Sequence, residues 1–158
     1  MGEVERIVDQ LNRAFKGEAW HGPAVMDILE GITPQQAAAR PFNGTHNIWE
    51  IVLHITAWEL AVRRRLRGER AELPEAEDWP KVIHTNDQAW GQAKEALRQA
   101  HEDLCYAVSE LDETRLEQPI IEGMSSTYVT LHGVIQHSLY HAGQIALLKK
   151  ASSKQERV

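Results

Sequence analysis

The chain has 158 residues, 42% hydrophobic and 25% charged, enough to bury one ordinary core and typical of a soluble globular domain. Its formal net charge of -6 argues against a nucleic-acid partner, because a phosphate footprint needs a clustered excess of Lys and Arg. No apolar run reaches the roughly 18 residues of a membrane helix, Met1 to Lys16 lacks a signal-peptide centre, and the single cysteine, Cys105, suits a reducing cytoplasm.

Four long helices and no strand are predicted. Ile7, Leu11 and Phe15 open an amphipathic first helix; Gly17, Gly22 and Pro23 disturb it, and Val25, Ile28 and Leu29 carry it on to Gly31. Thr33 to Thr45 is a polar, proline-containing connector. The second helix is expected from about Asn47 to Arg67, with Thr45 or Asn47 as its cap. Its basic end, Arg63 to Arg67, precedes Gly68 where cations complement the helix dipole, so a solvated helix end explains it better than a binding patch. Gly68 to Thr85 contains Pro74, Pro80 and an acidic run, and reads as a long surface connection that permits a crossover. The third helix, roughly Asn86 to Leu111, carries Trp90, Leu97, Leu104 and Cys105. A linker with Pro119 and the run Gly123 to Ser126 leads into the fourth, from about Thr130 to Lys150. Residues 1–150 thus read as one domain and Ala151 to Val158 as a polar, frayed tail. Four helices with a long connection between the second and third imply an all-α four-helix bundle, an architecture that builds metal sites from facing side chains.

The fourth helix carries the most informative spacing. His137 and His141 are four residues apart, so both rings lie on one side of a helix, close enough to share a metal ion. Stepped at the helical angle they fall among Val134, Ile145 and Leu148, and so point inward. His54 in the second helix borders the stripe of Ile51, Ile55, Trp58 and Val62 and faces inward too. Any one inward histidine is ordinarily a core residue satisfied by a carbonyl or water. Three together would each need a separate partner, whereas one cation satisfies them all. Three neutral imidazoles leave part of a divalent ion's coordination sphere free, as in catalytic rather than structural sites.

A di-iron bundle would need a Glu-x-x-His pair from each of two helices, and only Glu18 with His21 has that spacing, beside a Gly-Pro break. Glu50 lies one turn from His54 and is a weak candidate base, a solvated carboxylate being its plainer reading. His21 is expected near the height of His54 in an antiparallel hairpin, counting about ten residues back from Gly31 and about eight forward from His46 at about 1.5 Å per residue. That makes it a candidate second-sphere residue at the pocket, the alternative being that it merely ends a broken helix. His132, opposite His141 on its helix, and His101, in a charged stretch, are expected at the surface, and His46 as a cap. Trp58 is a reasonable pocket wall, and Cys105 a buried apolar residue rather than a nucleophile.

The run Ile48-Trp-Glu-Ile-Val-Leu-His54-Ile-Thr-Ala-Trp58, followed by His137-Ser-Leu-Tyr-His141-Ala-Gly-Gln-Ile145, resembles the DinB-like superfamily, which includes YfiT-type proteins described as metal-dependent hydrolases. The resemblance spans about Trp20 to Leu148. It implies an up-down-down-up bundle, often a homodimer, with nickel, zinc or another divalent ion on three histidines that fall on His54, His137 and His141. The usual motif has Arg after the last histidine; this chain has Ala142. Relatives in the wider superfamily include low-molecular-weight-thiol S-transferases and thiol-dependent isomerases. The expectation is therefore a metal-dependent thiol S-transferase or hydrolase acting on a small molecule, with a low-molecular-weight thiol as a cosubstrate in the first case. A non-catalytic metal-binding or interaction module of the same fold is the alternative.

Overall fold

The computed structural model describes residues 1–155, with side chains through Ser153. Its helices are α1 (Glu3–Lys16), α2 (Val25–Leu29), α3 (Pro34–Ala38), α4 (Ile48–Leu66), α5 (Glu75–Asp78), α6 (Asp87–Ser109) and α7 (Thr127–Gln155), with a 3-10 turn at Glu113–Arg115. Among the described residues there is no strand, only an isolated antiparallel bridge between Pro119 and Ser126, and no helix is long and apolar enough to cross a membrane.

The helix ends follow local chemistry. The first helix stops at Lys16, and the chain is not helical again until Val25; Gly22 there has φ +135, a conformation disfavoured for residues with a Cβ. The polar connector contains a turn of helix, α3, which Thr33 caps by accepting from the Gln36 N–H at 3.2 Å. Asn47 caps α4: its side chain accepts from the Glu50 N–H at 2.8 Å while Glu50 accepts from the Asn47 N–H at 3.0 Å. The last helix begins at Thr127, where Ser126 Oγ accepts from the Val129 N–H, and it runs on through Ala151 to Gln155. The expected stop at Lys150 fails because a run of polar residues without Gly or Pro does not break a helix. Lys149 Nζ donates to the carbonyls of Ile28 and Glu30 at 2.8 and 2.7 Å, and Ser152 is buried. Residues 156–158 of the expected tail lie outside the described residues.

Helix α4 packs on α6 and α7, and α1 packs on the same two from the other side. The core they enclose falls into two apolar clusters. One gathers Phe15 from the end of α1, Ile48, Ile51 and Ile55 from the start of α4, Trp90 and Leu97 from the start of α6, and Ala142, Ile145 and Leu148 from the later part of α7. The other takes Ile7 and Leu11, Val62, Leu104 and Val108, and Leu131, Val134 and Ile135. So α1 and α7 run toward the first cluster, and α4 and α6 away from it.

Buried polar side chains separate the clusters. Glu59 sits between Ile55 and Val62 on α4, His101 between Leu97 and Leu104 on α6, and Ser138 and His141 between Ile135 and Ala142 on α7. His101, expected at the surface, is 1% exposed. Its ring stacks on Phe15 with centroids 3.8 Å apart, its Nδ1 lies 3.2 Å from a Glu59 oxygen, and its Nε2 lies 3.3 Å from Cys105 Sγ. The charged residues around it in the sequence occupy the other faces of α6, so they do not report its environment. Burial raises the pKa of Glu59, and the opposing pull of His101 does not cancel it. Its other oxygen, Oε2, has no hydrogen-bond partner among the described residues.

A carboxyl with a raised folded-state pKa contributes most below its ordinary value of 4.5, and that contribution is lost as pH rises through the folded value. Glu59→Gln should therefore be more stable than the parent at pH 8, on the order of 1–3 kcal/mol for a buried polar group relieved of charge, and lose that advantage toward pH 4. Urea unfolding across this range checks it; a variant less stable than the parent at pH 8 would mean the ionised pair stabilises the fold.

Candidate metal centre

Helices α4 and α7 bring the three predicted histidines together. His137 Nε2 lies 2.9 Å from His54 Nε2 and 3.1 Å from His141 Nε2, and a ligand atom from each ring lies within 4.8 Å of the others. His54 and His141 are buried, and His137 is half-buried.

The proton count decides what this cluster is suited to hold. His54 Nδ1 lies 2.7 Å from the carbonyl oxygen of Asp78, which can only accept, so a neutral His54 carries its proton on Nδ1 and a lone pair on Nε2. His141 Nδ1 makes the corresponding contact with Gln144 Oε1 at 2.7 Å, leaving a lone pair on its Nε2. His137 can offer one proton to one of these neighbours, not both. A cation at the convergence point meets all three lone pairs. Zinc–nitrogen bonds of about 2.0–2.1 Å in tetrahedral geometry separate nitrogens by about 3.3 Å, close to the 2.9 and 3.1 Å of the two short pairs and inside the 4.8 Å that bounds the whole set. The donor set fits a divalent ion.

The surroundings favour the neutral form of the histidine pair on α7. Burial, reinforced by the neighbouring His141 and His54, pulls His137 down to about 4. Burial also lowers His141, against the hydrogen bond to Gln144 that raises it.

An outer layer comes from the connection between α4 and α6. Asp78 receives the Trp58 indole N–H at 2.7 Å on Oδ1, the oxygen that lies 3.1 Å from His54 Nδ1. Trp79 stacks on His54 with centroids 3.8 Å apart, and His46 stacks on the same indole at 3.5 Å. The expectation of a wholly surface connection is corrected here: α5 packs on α4, and its end covers the site. Trp58 is a wall as expected, its ring centroid 6.0 Å from that of His137. A hollow of about 460 Å³ opens against His141, walled by Phe42, Ile51, Trp79, Tyr140, Leu147 and Leu148.

The other candidates lie elsewhere or are engaged. Glu50 caps α4, pairs closely with Arg40 and lies 3.3 Å from His46 Nδ1. Burial alone would raise its pKa, but the Asn47 N–H and the Arg40 guanidinium outweigh that and hold the carboxyl below its ordinary range. It is a helix cap and ion-pair partner, poorly suited to be a base. His46 precedes the capping residue and stacks on Trp79 instead of capping. His21 is exposed and lines a separate hollow with Arg13, Trp20, Ile135 and Leu139. A count of rise per residue gives a height and not a direction, and the chain at His21 is not helical, so the count did not say that His21 would face this separate hollow. His132 is half-buried against Tyr128, ring centroids 4.3 Å apart, with no hydrogen-bond partner on its inner nitrogen among the described residues. Burial, with Glu59 nearby, pushes the Cys105 thiol up to about 12, which suppresses the thiolate. Ala142, where the resembled motif has Arg, is buried in the first apolar cluster.

Asp78 and Trp79 were not anticipated. An Asp-Trp-Pro step in an otherwise polar connection is a signal for a packed aromatic, but nothing local in it says which helix it packs on.

A family model described as the DinB superfamily matches residues 19–145. No curated protein and no solved structure matches the chain.

His54→Ala, His137→Ala and His141→Ala should each abolish stoichiometric binding of zinc or nickel, measured by elemental analysis after dialysis, whereas exposed His21→Ala should leave one ion per chain. Asp78→Ala should keep the stoichiometry and weaken affinity by about tenfold to a hundredfold, as loss of a ligand-orienting carboxylate does. Full occupancy in His141→Ala would exclude the three-histidine assignment.

Proposed function

The chain belongs to the DinB superfamily, and on that premise we propose that it is a divalent-metal-binding protein, a metal-dependent enzyme of thiol S-transferase or hydrolase type. The observation that carries this reading is the convergence of three Nε2 atoms with too few protons to satisfy one another. His54, His137 and His141 would hold the ion, nickel or zinc. A divalent cation in this position supplies the positive charge that favours ionisation of a thiol or of water.

The chain's own groups do the rest. Asp78 and Gln144 keep the ring protons of His54 and His141 away from the centre. Trp79 and Trp58 exclude bulk water from the His54 side. The apolar hollow beside His141 offers space for a small-molecule substrate, to which a low-molecular-weight thiol would be transferred in the S-transferase case. The distribution of helix ends between the two apolar clusters supports an up-down-down-up four-helix bundle. The single Cys105 supports a cytoplasmic setting, and the family resemblance supports a homodimer.

Glu50 favours a second reading. With that carboxylate engaged by Arg40 and Asn47, and the Asp78 carboxylate occupied by the Trp58 indole and His54, no free base stands beside the histidines among the described residues, as expected of a non-catalytic metal-binding or interaction module. Thiol-conjugation and ester- or amide-hydrolysis assays on metal-loaded and metal-stripped protein separate the two. Turnover that requires metal and is lost in His137→Ala supports the enzyme; a metal-loaded protein inert in every assay supports the module.

The fold should survive chelation, because both apolar clusters are built without the histidine rings. Metal should raise the melting temperature by binding the native state, an effect worth about 2.7 kcal/mol at a hundredfold excess over Kd. Loss of helical circular dichroism on chelation would instead assign the ion a structural role.

A further inference from the structure

A second hollow reaches the histidine cluster from the side of His137. It encloses about 230 Å³ between α4 and α7, walled by Trp58, Val62 and Arg65 from one helix and Thr130, Gly133, Val134 and His137 from the other. These residues recur at three- and four-residue steps, so one face of each helix supplies its wall. The surface facing the hollow is almost wholly apolar, the polar ends of Arg65, Thr130 and His137 turning away from it or lying at its edge.

Arg65 is fixed in place. Its Nε donates to the carbonyl of Ala71 at 2.8 Å, and its guanidinium carbon lies 5.5 Å from the Trp58 ring centroid. Arg63 and Arg64 beside it are closed by Asp103 and Glu69. Among the described residues no carboxylate reaches salt-bridge distance of Arg65; Glu72 acts on it only at longer range. A half-buried guanidinium without a carboxylate partner, beside an apolar hollow, attracts an anion more strongly than one in water. Gly133 adds room: a Cβ built there meets nothing within 4 Å.

We propose that this hollow is a subsite for a small apolar or aromatic carboxylate, its carboxylate on Arg65 and its body against Trp58 and His137. One planar guanidinium matches one carboxylate through paired hydrogen bonds, whereas a phosphate dianion calls for more donors than these walls carry. The size agrees, since an apolar cavity of about 150 Å³ accepts benzene. As a place for a substrate the subsite rests on the metal-centre reading above; its occupancy does not.

The test is calorimetric titration of benzoate and its neutral counterpart benzamide into the full chain, with and without zinc. Benzoate should bind once per chain and at least tenfold more tightly than benzamide. Arg65→Met should remove that preference, weakening benzoate tenfold or more with metal content unchanged. Gly133→Leu should fill the hollow and abolish binding of both probes, and Gly133→Ala should keep helical circular dichroism at or above the parent level while weakening both, which separates filling from misfolding. Benzoate that binds no better than benzamide, or that is indifferent to Arg65→Met or to Gly133→Leu, overturns the subsite. Arg65-dependent benzoate binding in a chain that takes up no metal would keep the subsite and remove the metal centre; one ion per chain without such binding would do the reverse.

Discussion

Three imidazole nitrogens held 2.9 and 3.1 Å apart in sequence, with the protons of two rings committed elsewhere, form the constraint around which this interior is organised. Lone pairs brought together away from water repel, and no rearrangement of the hydrogen bonds at Asp78 and Gln144 relieves both contacts. The cost is borne by packing. Ile51 and Ile55 flank His54 on α4, while Val134 and Ile145 flank the histidine pair on α7, and these neighbours are buried in the apolar clusters. The helices cannot separate to relax the nitrogens without exposing that surface. A ligand set assembled in this way meets an ion with little rearrangement left to make.

The same layer explains why the core is divided. Glu59 and His101 occupy helix positions four residues after a buried Ile55 and Leu97 and three before a buried Val62 and Leu104. They interrupt apolar stripes that would otherwise run the length of α4 and α6. With Phe15 stacked on His101 and the Glu59 carboxyl facing it, contact between α1, α6 and α4 at this level depends on polar groups that fit only in one register. Such groups are weak contributors to stability and stronger constraints on alignment. The histidines on α4 and α7 are positioned at a similar level, so the polar layer sets their height as well.

What could be read from the sequence tracks where the physics is local. The four long helices, the Asn47 cap and the inward direction of His54, His137 and His141 all follow from periodicity and end chemistry, and the structure contains them. His101 also lay on the stripe of Leu97 and Leu104; its charged neighbours outweighed the angle in assigning it to the surface, although angle is the better witness to burial. Glu59 carried the same signal from Ile55 and Val62. The assignment of His21 to the pocket has another weakness, because a count of rise per residue says nothing of direction where the chain is not helical, as between Lys16 and Val25, and His21 lies exposed on a separate hollow. Asp78 and Trp79 depend on how a long connection folds back onto α4, a contact across 24 residues that no local pattern specifies.

That connection gives the site its division of labour. The three clustered histidine rings stand on long helices, whose positions are fixed by the apolar clusters on either side. The groups that orient and cover them come largely from the irregular segment after α4: the Asp78 carbonyl and carboxylate on His54 and the Trp58 indole, and the Trp79 ring sandwiched between His46 and His54. Rigid elements suit ligands, whose spacing an ion cannot tolerate losing, while a loop can vary the outer layer without disturbing them. The two hollows obey the same division. The wall beside His141 draws on Phe42 and Trp79 from connecting segments, whereas the wall beside His137 is built wholly from α4 and α7. Changes in the connections would therefore alter the first hollow while leaving the second, and the spacing of the histidines between them, in place.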